Sequence, residues 1–205
     1  MVRYRGPKNR IARRFGVNIF GRRRNPLIHK PAPPGMHGAK RKKKSDYGLQ
    51  MEEKQKLKTI YGMITHRQLV NYYKKALKKV GNTSTNLIQL LECRLDNIVY
   101  RLNLAPTIFA AQQLISHGHV LVNDKKVDIR SFEVKPKMAI TIKEKSKKIK
   151  IIKESQATTK ELPSYLSLSS DKNIGTLEIL PEQDQIPFPI IVSIPLVCEF
   201  LAHTS

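Results

Sequence analysis

Apolar positions recur at Leu87, Leu91, Leu95, Ile98 and Leu102, steps of four, four, three and four that mark one face of an α-helix. At about 100° per residue, this stripe leaves Arg94, Asn97 and Arg101 within about 60° of one another on a neighbouring polar face. The pattern predicts a helix with a core side and a partner side. Upstream, Leu49 to Tyr61 reads as a basic helix stopping at Gly62. A second runs from Thr65 to a stop at Gly81, and its Thr65-x-x-Gln68 spacing resembles a capping box. Downstream, Pro106 and Thr107 open a helix through Phe109, Leu114 and Ile115 that stops at Gly118. The period then changes to two. His119 to Asn123 reads as a strand, Asn123-Asp124 as a turn and Val127 to Ile129 as the returning strand. Strand-like runs at Met138 to Ile142 and Leu177 to Leu180 extend this to a small, mostly antiparallel sheet. Lys143 to Lys153 reads as a solvated basic helix or linker. A short helix starts at Pro195, with acids and apolar surface suited to packing against basic N-terminal helices.

Residues 1 to 48 interrupt the periodicity: Gly6, Pro7, Gly16, Gly21, Pro26, Pro31, Pro33, Pro34, Gly35 and Gly38 rule out long regular elements and predict an irregular arm. Charge changes what that arm means. It holds 15 basic side chains against Asp46 alone, whereas residues 160 to 205 carry two lysines against six acids. The whole chain has a formal net charge of +22. Such an arm buries too little apolar surface to offset its ordering entropy, so its order is expected to come from contact with a polyanion.

Several function classes fall away. The N-terminus has basic residues with no apolar stretch behind them, so no secretory signal is expected. The most apolar run, Ile190 to Cys198, is interrupted by Ser193 and Pro195 and is far shorter than the roughly 20 residues a bilayer needs, so no membrane partner is expected. Cys93 and Cys198 lie far apart in apolar surroundings, which reads as free thiols in a reducing, cytoplasmic compartment. His117-Gly118-His119 has no third ligand nearby, so neither metal nor cofactor is expected. Arg94-Leu95-Asp96 resembles the catalytic aspartate motif of pseudouridine synthases, but it sits in a continuous amphipathic pattern without the Gly-rich loop of such a site, and no catalysis is expected.

RNA is the polyanion that fits best. On the arm, Arg3, Arg5, Lys8, Arg10, Arg13, Arg14, Arg22, Arg23 and Arg24, with the run Lys40, Arg41, Lys42, Lys43 and Lys44, can neutralise phosphates and release counterions. On the helices the candidates are Tyr47, Lys54, Lys56, Lys58, Arg67, Tyr72, Tyr73 and Lys74. Tyrosines among cations can stack on unpaired bases or bond to 2′-hydroxyls, although each is equally plausible as a core or rim residue. No recognition-helix or zinc-finger pattern for duplex DNA is present.

The stretches Arg3-Tyr-Arg-Gly-Pro-Lys, Pro34-Gly-Met-His-Gly-Ala, Ser45-Asp-Tyr-Gly-Leu-Gln, Asn71-Tyr-Tyr, Gly81-Asn-Thr, Arg94-Leu-Asp-Asn-Ile-Val-Tyr-Arg, Leu114-Ile-Ser-His-Gly and Val120-Leu-Val-Asn together resemble the fourth protein of the bacterial small ribosomal subunit, the S-four family. The resemblance implies an α+β fold: a helical N-terminal domain with a basic irregular arm, plus an inserted RNA-binding domain of two helices and a small antiparallel sheet. The expected divisions are an arm at 1–48, a helical domain at 49–93 plus 190–205, and an inserted domain at 94–189 with its core at about 94–157. It further implies a structural role in the ribosome, with early binding to a multi-helix junction in the 5′ domain of small-subunit ribosomal RNA. Arg94, Asn97, Arg101, His117, His119, Asn123 and Lys125 would face that RNA. The Lys40 to Lys44 run would lie where messenger RNA enters the subunit, and contacts with neighbouring ribosomal proteins, notably the fifth, would affect accuracy. Some members hold the arm with four cysteines around zinc; this arm has none and must order without metal. The alternative is a free-standing RNA chaperone or translational repressor using the same module.

Overall fold

The computed structural model describes residues 4–22, 24–38, 40, 43–157, 161–169 and 174–204. The chain divides into two compact units, one formed by residues 1–84 with 188–205 and the other by residues 85–187.

In the first unit the arm is less irregular than its glycines and prolines suggest. It carries helix α1 (Lys8–Phe15) and the one-turn α2 (Pro26–His29). α1 ends because Gly16 adopts φ 68°, a left-handed conformation that glycine takes without penalty, and its N–H returns to the Ala12 carbonyl. α2 starts because the Asn25 side chain accepts the Leu27 N–H and Pro26 fills the first helical position. The breakers thus act as caps of short helices, and Ala12, Ile19, Phe20 and Pro26 are all buried. α3 (Asp46–Ile60) begins three residues before its expected start, because the Ser45 hydroxyl accepts the Gly48 N–H. α4 (His66–Leu77) opens on the anticipated capping box. Thr65 Oγ1 accepts the Gln68 N–H at 3.3 Å, and Gln68 Oε1 accepts the Thr65 N–H at 3.3 Å. The C-terminal helix α9 (Ile194–Thr204) packs along α3 and touches α4, with Val197, Phe200 and Leu201 buried.

The second unit is built on α5 (Thr83–Glu92), α6 (Leu95–Arg101) and α7 (Ile108–Ser116) with strands β1 (Val120–Val122), β2 (Lys125–Lys126), β3 (Ala139–Ile142), β4 (Leu166–Leu168) and β5 (Ile174–Leu177), and helix α8 (Lys150–Ala157). The strands form an antiparallel sheet in the order β2-β1-β3-β5-β4. β1 and β3 turn Val120, Val122, Ile140 and Ile142 into the core, as period-two alternation requires. Asn123 and Asp124, at φ 46° and 62°, make the two-residue turn that pairs Val122 with Lys125. The returning strand is therefore Lys125–Lys126 and not 127–129. Gly175 on β5 lies against Leu102, where a Cβ would fall 2.4 Å from Leu102 Cδ1.

The stripe Leu87, Leu91, Leu95, Ile98 and Leu102 is fully buried, but it spans two helices. The helix expected through 87–102 breaks at Cys93 and Arg94. There the chain pairs with the segment 130–134: Val134 N–H donates to the Cys93 carbonyl at 2.8 Å, and Leu95 N–H to the Phe132 carbonyl at 2.9 Å. Neither Gly nor Pro marks the break. Tertiary hydrogen bonding makes it, and both helices bury apolar residues at the same spacing.

Candidate nucleic-acid interface

Arg94 lies at the helix break with extended backbone, which turns its side chain inward onto the first turn of α6. It grips Asp96 at both carboxylate oxygens, Nε to Oδ1 at 3.0 Å and Nη2 to Oδ2 at 2.7 Å, with the two side chains 5% and 1% exposed. Gln112 Nε2 donates to Asp96 Oδ2 at 3.1 Å, and Arg130 Nη1 donates to Gln112 Oε1 at 3.2 Å. Asn97, also buried, donates to the Glu92 carboxylate and carbonyl. Arg101 pairs with Glu92 at 3.0 Å and reaches the Pro187 carbonyl at 2.8 Å; Tyr165 donates to Glu92 Oε2 at 3.0 Å. Burial, and next the Glu92 charge, push the Tyr165 hydroxyl far above its ordinary range. Every anion here meets a cation or donor, the condition under which buried charge is tolerated. The polar face expected to meet a partner therefore turns inward at Arg94 and Asn97, and Arg101 is engaged from both sides.

Other expected residues do lie on the surface. His117, Asn123 and Lys125 are exposed and His119 is half-buried, gathered by the end of α7 and the β1–β2 turn. Gly118, at φ 70°, joins the two histidines, and Lys126 covers it so closely that a Cβ would sit 2.3 Å from Lys126 Cε. Asn123 Oδ1 accepts the Ala139 N–H at 2.9 Å, so this side chain also fixes the start of β3. His119 Nδ1 lies 2.9 Å from Ser146 Oγ. Its pKa is lowered, first by burial and then by His117 and Lys143.

In the first unit, Arg5, Arg10, Arg14, Arg22, Arg24, Lys40, Lys43, Lys44, Tyr47, Arg67 and Lys74 are exposed. Lys8, Arg13, Lys56, Lys58 and Tyr72 are half-buried, while Lys54 and Tyr73 are buried. Arg3, Arg23, Arg41 and Lys42 lie outside the described residues. Arg13 Nε donates to the Ala32 carbonyl at 2.9 Å, and Lys44 pairs with Glu52. Lys54 Nζ stands 3.8 Å over the Phe200 ring, whose centroid is 5.5 Å from that of Tyr47. Burial lowers the Lys54 and Lys58 pKa values, and burial with both of these lysines lowers that of His66. Lys56 pairs with Glu53, so the acids of α3 answer part of this charge, and burial is the first cause of the lowered values.

The scaffold residues Glu92, Asp96, Gln112, Arg130 and Tyr165 escaped the sequence reading. A signal existed: Glu92, Arg94 and Asp96 alternate with the apolar residues of Leu90 to Leu95, close enough in sequence for opposite charges to pair. Among the described residues no group of three or more His, Cys, Asp or Glu side chains could hold a metal, and no helix is long and apolar enough to cross a membrane.

Two family descriptions match adjoining parts of the chain, up to residue 140. The Ribosomal protein S4/S9 N-terminal domain matches residues 3–92, and the S4 domain matches residues 93–140. The chain is 62% identical over 206 residues to small ribosomal subunit protein uS4 of Protochlamydia amoebophila, covering all of both chains. The chain belongs to the uS4 family. Relatives of the same name in Chlamydia trachomatis serovar D and Chlamydia pneumoniae are 61% and 57% identical over 209 residues, again across both full lengths. uS4 is a family of ribosomal proteins, not of enzymes. Its S4 domain begins at Cys93, where α5 gives way to the buried Arg94–Asp96 pair.

Proposed function

We propose that this chain is a structural component of the small ribosomal subunit that binds its ribosomal RNA. The observation that carries the proposal is full-length identity of 57–62% to proteins named for that particle. Charge and exposure agree with it. A net +22 calls for phosphates as counterions, and each unit offers them exposed cations of its own: the arm with Arg67 and Lys74 in the first, Lys125 and the His117–His119 corner in the second. Arg94, Asn97 and Arg101 serve this function from inside, holding the module rigid so that the corner keeps its shape.

Finer roles follow as part of the same reading. The domains act as an arm at 1–48, a helical domain that follows it and is closed by residues 190–205, and an inserted RNA-binding domain up to 189, whose compact unit takes in most of α5 ahead of the expected start at 94. Lys40 to Lys44 serve where messenger RNA enters the subunit, the place the family resemblance implies for this run, whose charge suits a single strand of any sequence. Contact with neighbouring small-subunit proteins, notably the fifth, is the further role that the family resemblance implies. The site of action is the ribosome of the cytoplasm.

The test is the salt dependence of binding to purified small-subunit ribosomal RNA. With about six to ten phosphate contacts, affinity falls by about 10³ to 10⁵ between 50 and 200 mM salt. A flat response overturns the reading.

A further inference from the structure

Between α7 and the start of α8 lies a cavity of about 200 Å³ that reaches the surface. Its walls are Ala110 and Leu114 on one side and Ile149 and Ile151 on the other; Gln113, His117 and His119 add polar lining. Ile151 is 48% exposed, although it belongs to an apolar wall. The lining offers two histidines and no further metal ligand, and it has no lysine or arginine, so the interior suits neither a metal nor a phosphate. A cavity of roughly 150 Å³ accepts benzene, so this one has room for a flat heteroaromatic ring. The imidazoles are placed to meet such a ring: their centroids are 6.0 Å apart, and the His119 ring is held by the hydroxyl of buried Ser146. The exposed Gln113 amide can pair with the edge of a base. Cations surround the histidines. Lys126 crosses Gly118, and Lys143 acts electrostatically on His119. The apolar side chain of a neighbouring protein would fill the walls but bring no anion to these cations.

The geometry points to a slot that takes one unpaired, extruded base of RNA, with the flanking lysines holding its sugar–phosphate backbone. This rests on the RNA-binding role proposed above and adds to it a contact that reads a base, not a phosphate.

Methyl NMR of the full-length protein tests the slot, with adenosine 5′-monophosphate and ribose 5-phosphate as probes at matched ionic strength. Methyl signals of Leu114, Ile149 and Ile151 are expected to shift upfield, saturably, with the nucleotide only. Equal shifts with both probes, or with neither, overturn the proposal. In parallel, Ala110→Phe fills the slot without altering charge, and Ile151→Ser strips an exposed wall residue and retains the fold. Each is expected to weaken binding to small-subunit ribosomal RNA about tenfold with the salt slope unchanged, the scale of losing one stacked base. Unchanged affinity in Ile151→Ser overturns the slot, as does normal RNA binding with impaired incorporation into subunits, which would assign the cavity to a protein neighbour. A flat salt response of the unmodified protein would instead sink the RNA-binding role itself, so the two failures are distinguishable.

Discussion

Arg94→Ala separates a scaffold role from a surface role most sharply. The guanidinium makes two charge-assisted bonds to Asp96, at 3.0 and 2.7 Å, between side chains 5% and 1% exposed. Truncation leaves a buried carboxylate with the Gln112 amide and the Asn97 N–H as donors, at 3.1 and 3.0 Å. Breaking one partner of a buried pair costs about 3–5 kcal/mol, because the other charge stays desolvated. With a urea dependence of about 2 kcal/mol per molar, the unfolding midpoint should fall by about 1.5–2.5 M. Lys125→Ala, at an exposed turn, should change stability by no more than about 0.5 kcal/mol. The double variant Arg94→Met with Asp96→Leu should recover most of the loss, since it removes both charges together. Urea unfolding followed by circular dichroism measures all three. If Arg94→Ala moves the midpoint by less than roughly 0.3 M while weakening RNA binding, Arg94 faces the ligand and the scaffold assignment is wrong.

Leu95→Ala should destabilise by about 2–5 kcal/mol in the same assay, as a fully buried stripe residue. Thr65→Ala should cost about 1 kcal/mol by removing the capping hydroxyl of α4, and Thr65→Ser should retain most of it. His119 should titrate below its ordinary 6.5, read from the pH dependence of its ring-proton shift; a midpoint at or above 6.5 would contradict the burial and the cationic neighbours assigned to it. Because the folded state favours the neutral ring, the unfolded chain binds more protons as pH drops. The contribution of His119 to stability is thus complete above about 6.5 and is lost as pH falls through the lowered folded value.

How much was legible in the sequence depended on whether local or long-range forces made each feature. Thr65 and Gln68 are three residues apart, so their capping box could be read directly, as could the turn at Asn123-Asp124 and the Gly118 stop. The break at Cys93 was invisible because its cause lies about 40 residues away, in hydrogen bonds from residues 130–134. The same break reversed the direction of Arg94 and Asn97, so a helical wheel drawn through one continuous helix put them on the wrong side. Strand β4 went unseen because Leu166 to Leu168 is too short to show a period and gains its partner only across the sheet. Of the site, the exposed cations were legible from charge alone. The cavity between α7 and α8 was not, since Ala110 and Ile151 are brought together only by packing.

The central claim is that this cationic surface is neutralised by ribosomal RNA within the small subunit. Sedimentation of native-cell lysate through a high-salt gradient, with the chain quantified by mass spectrometry in each fraction, tests it most directly. The account predicts about one copy per small subunit, retained through the wash, as expected for a contact made at many phosphates. Recovery of the chain only in the slow-sedimenting soluble fractions, with small subunits devoid of it, would contradict it.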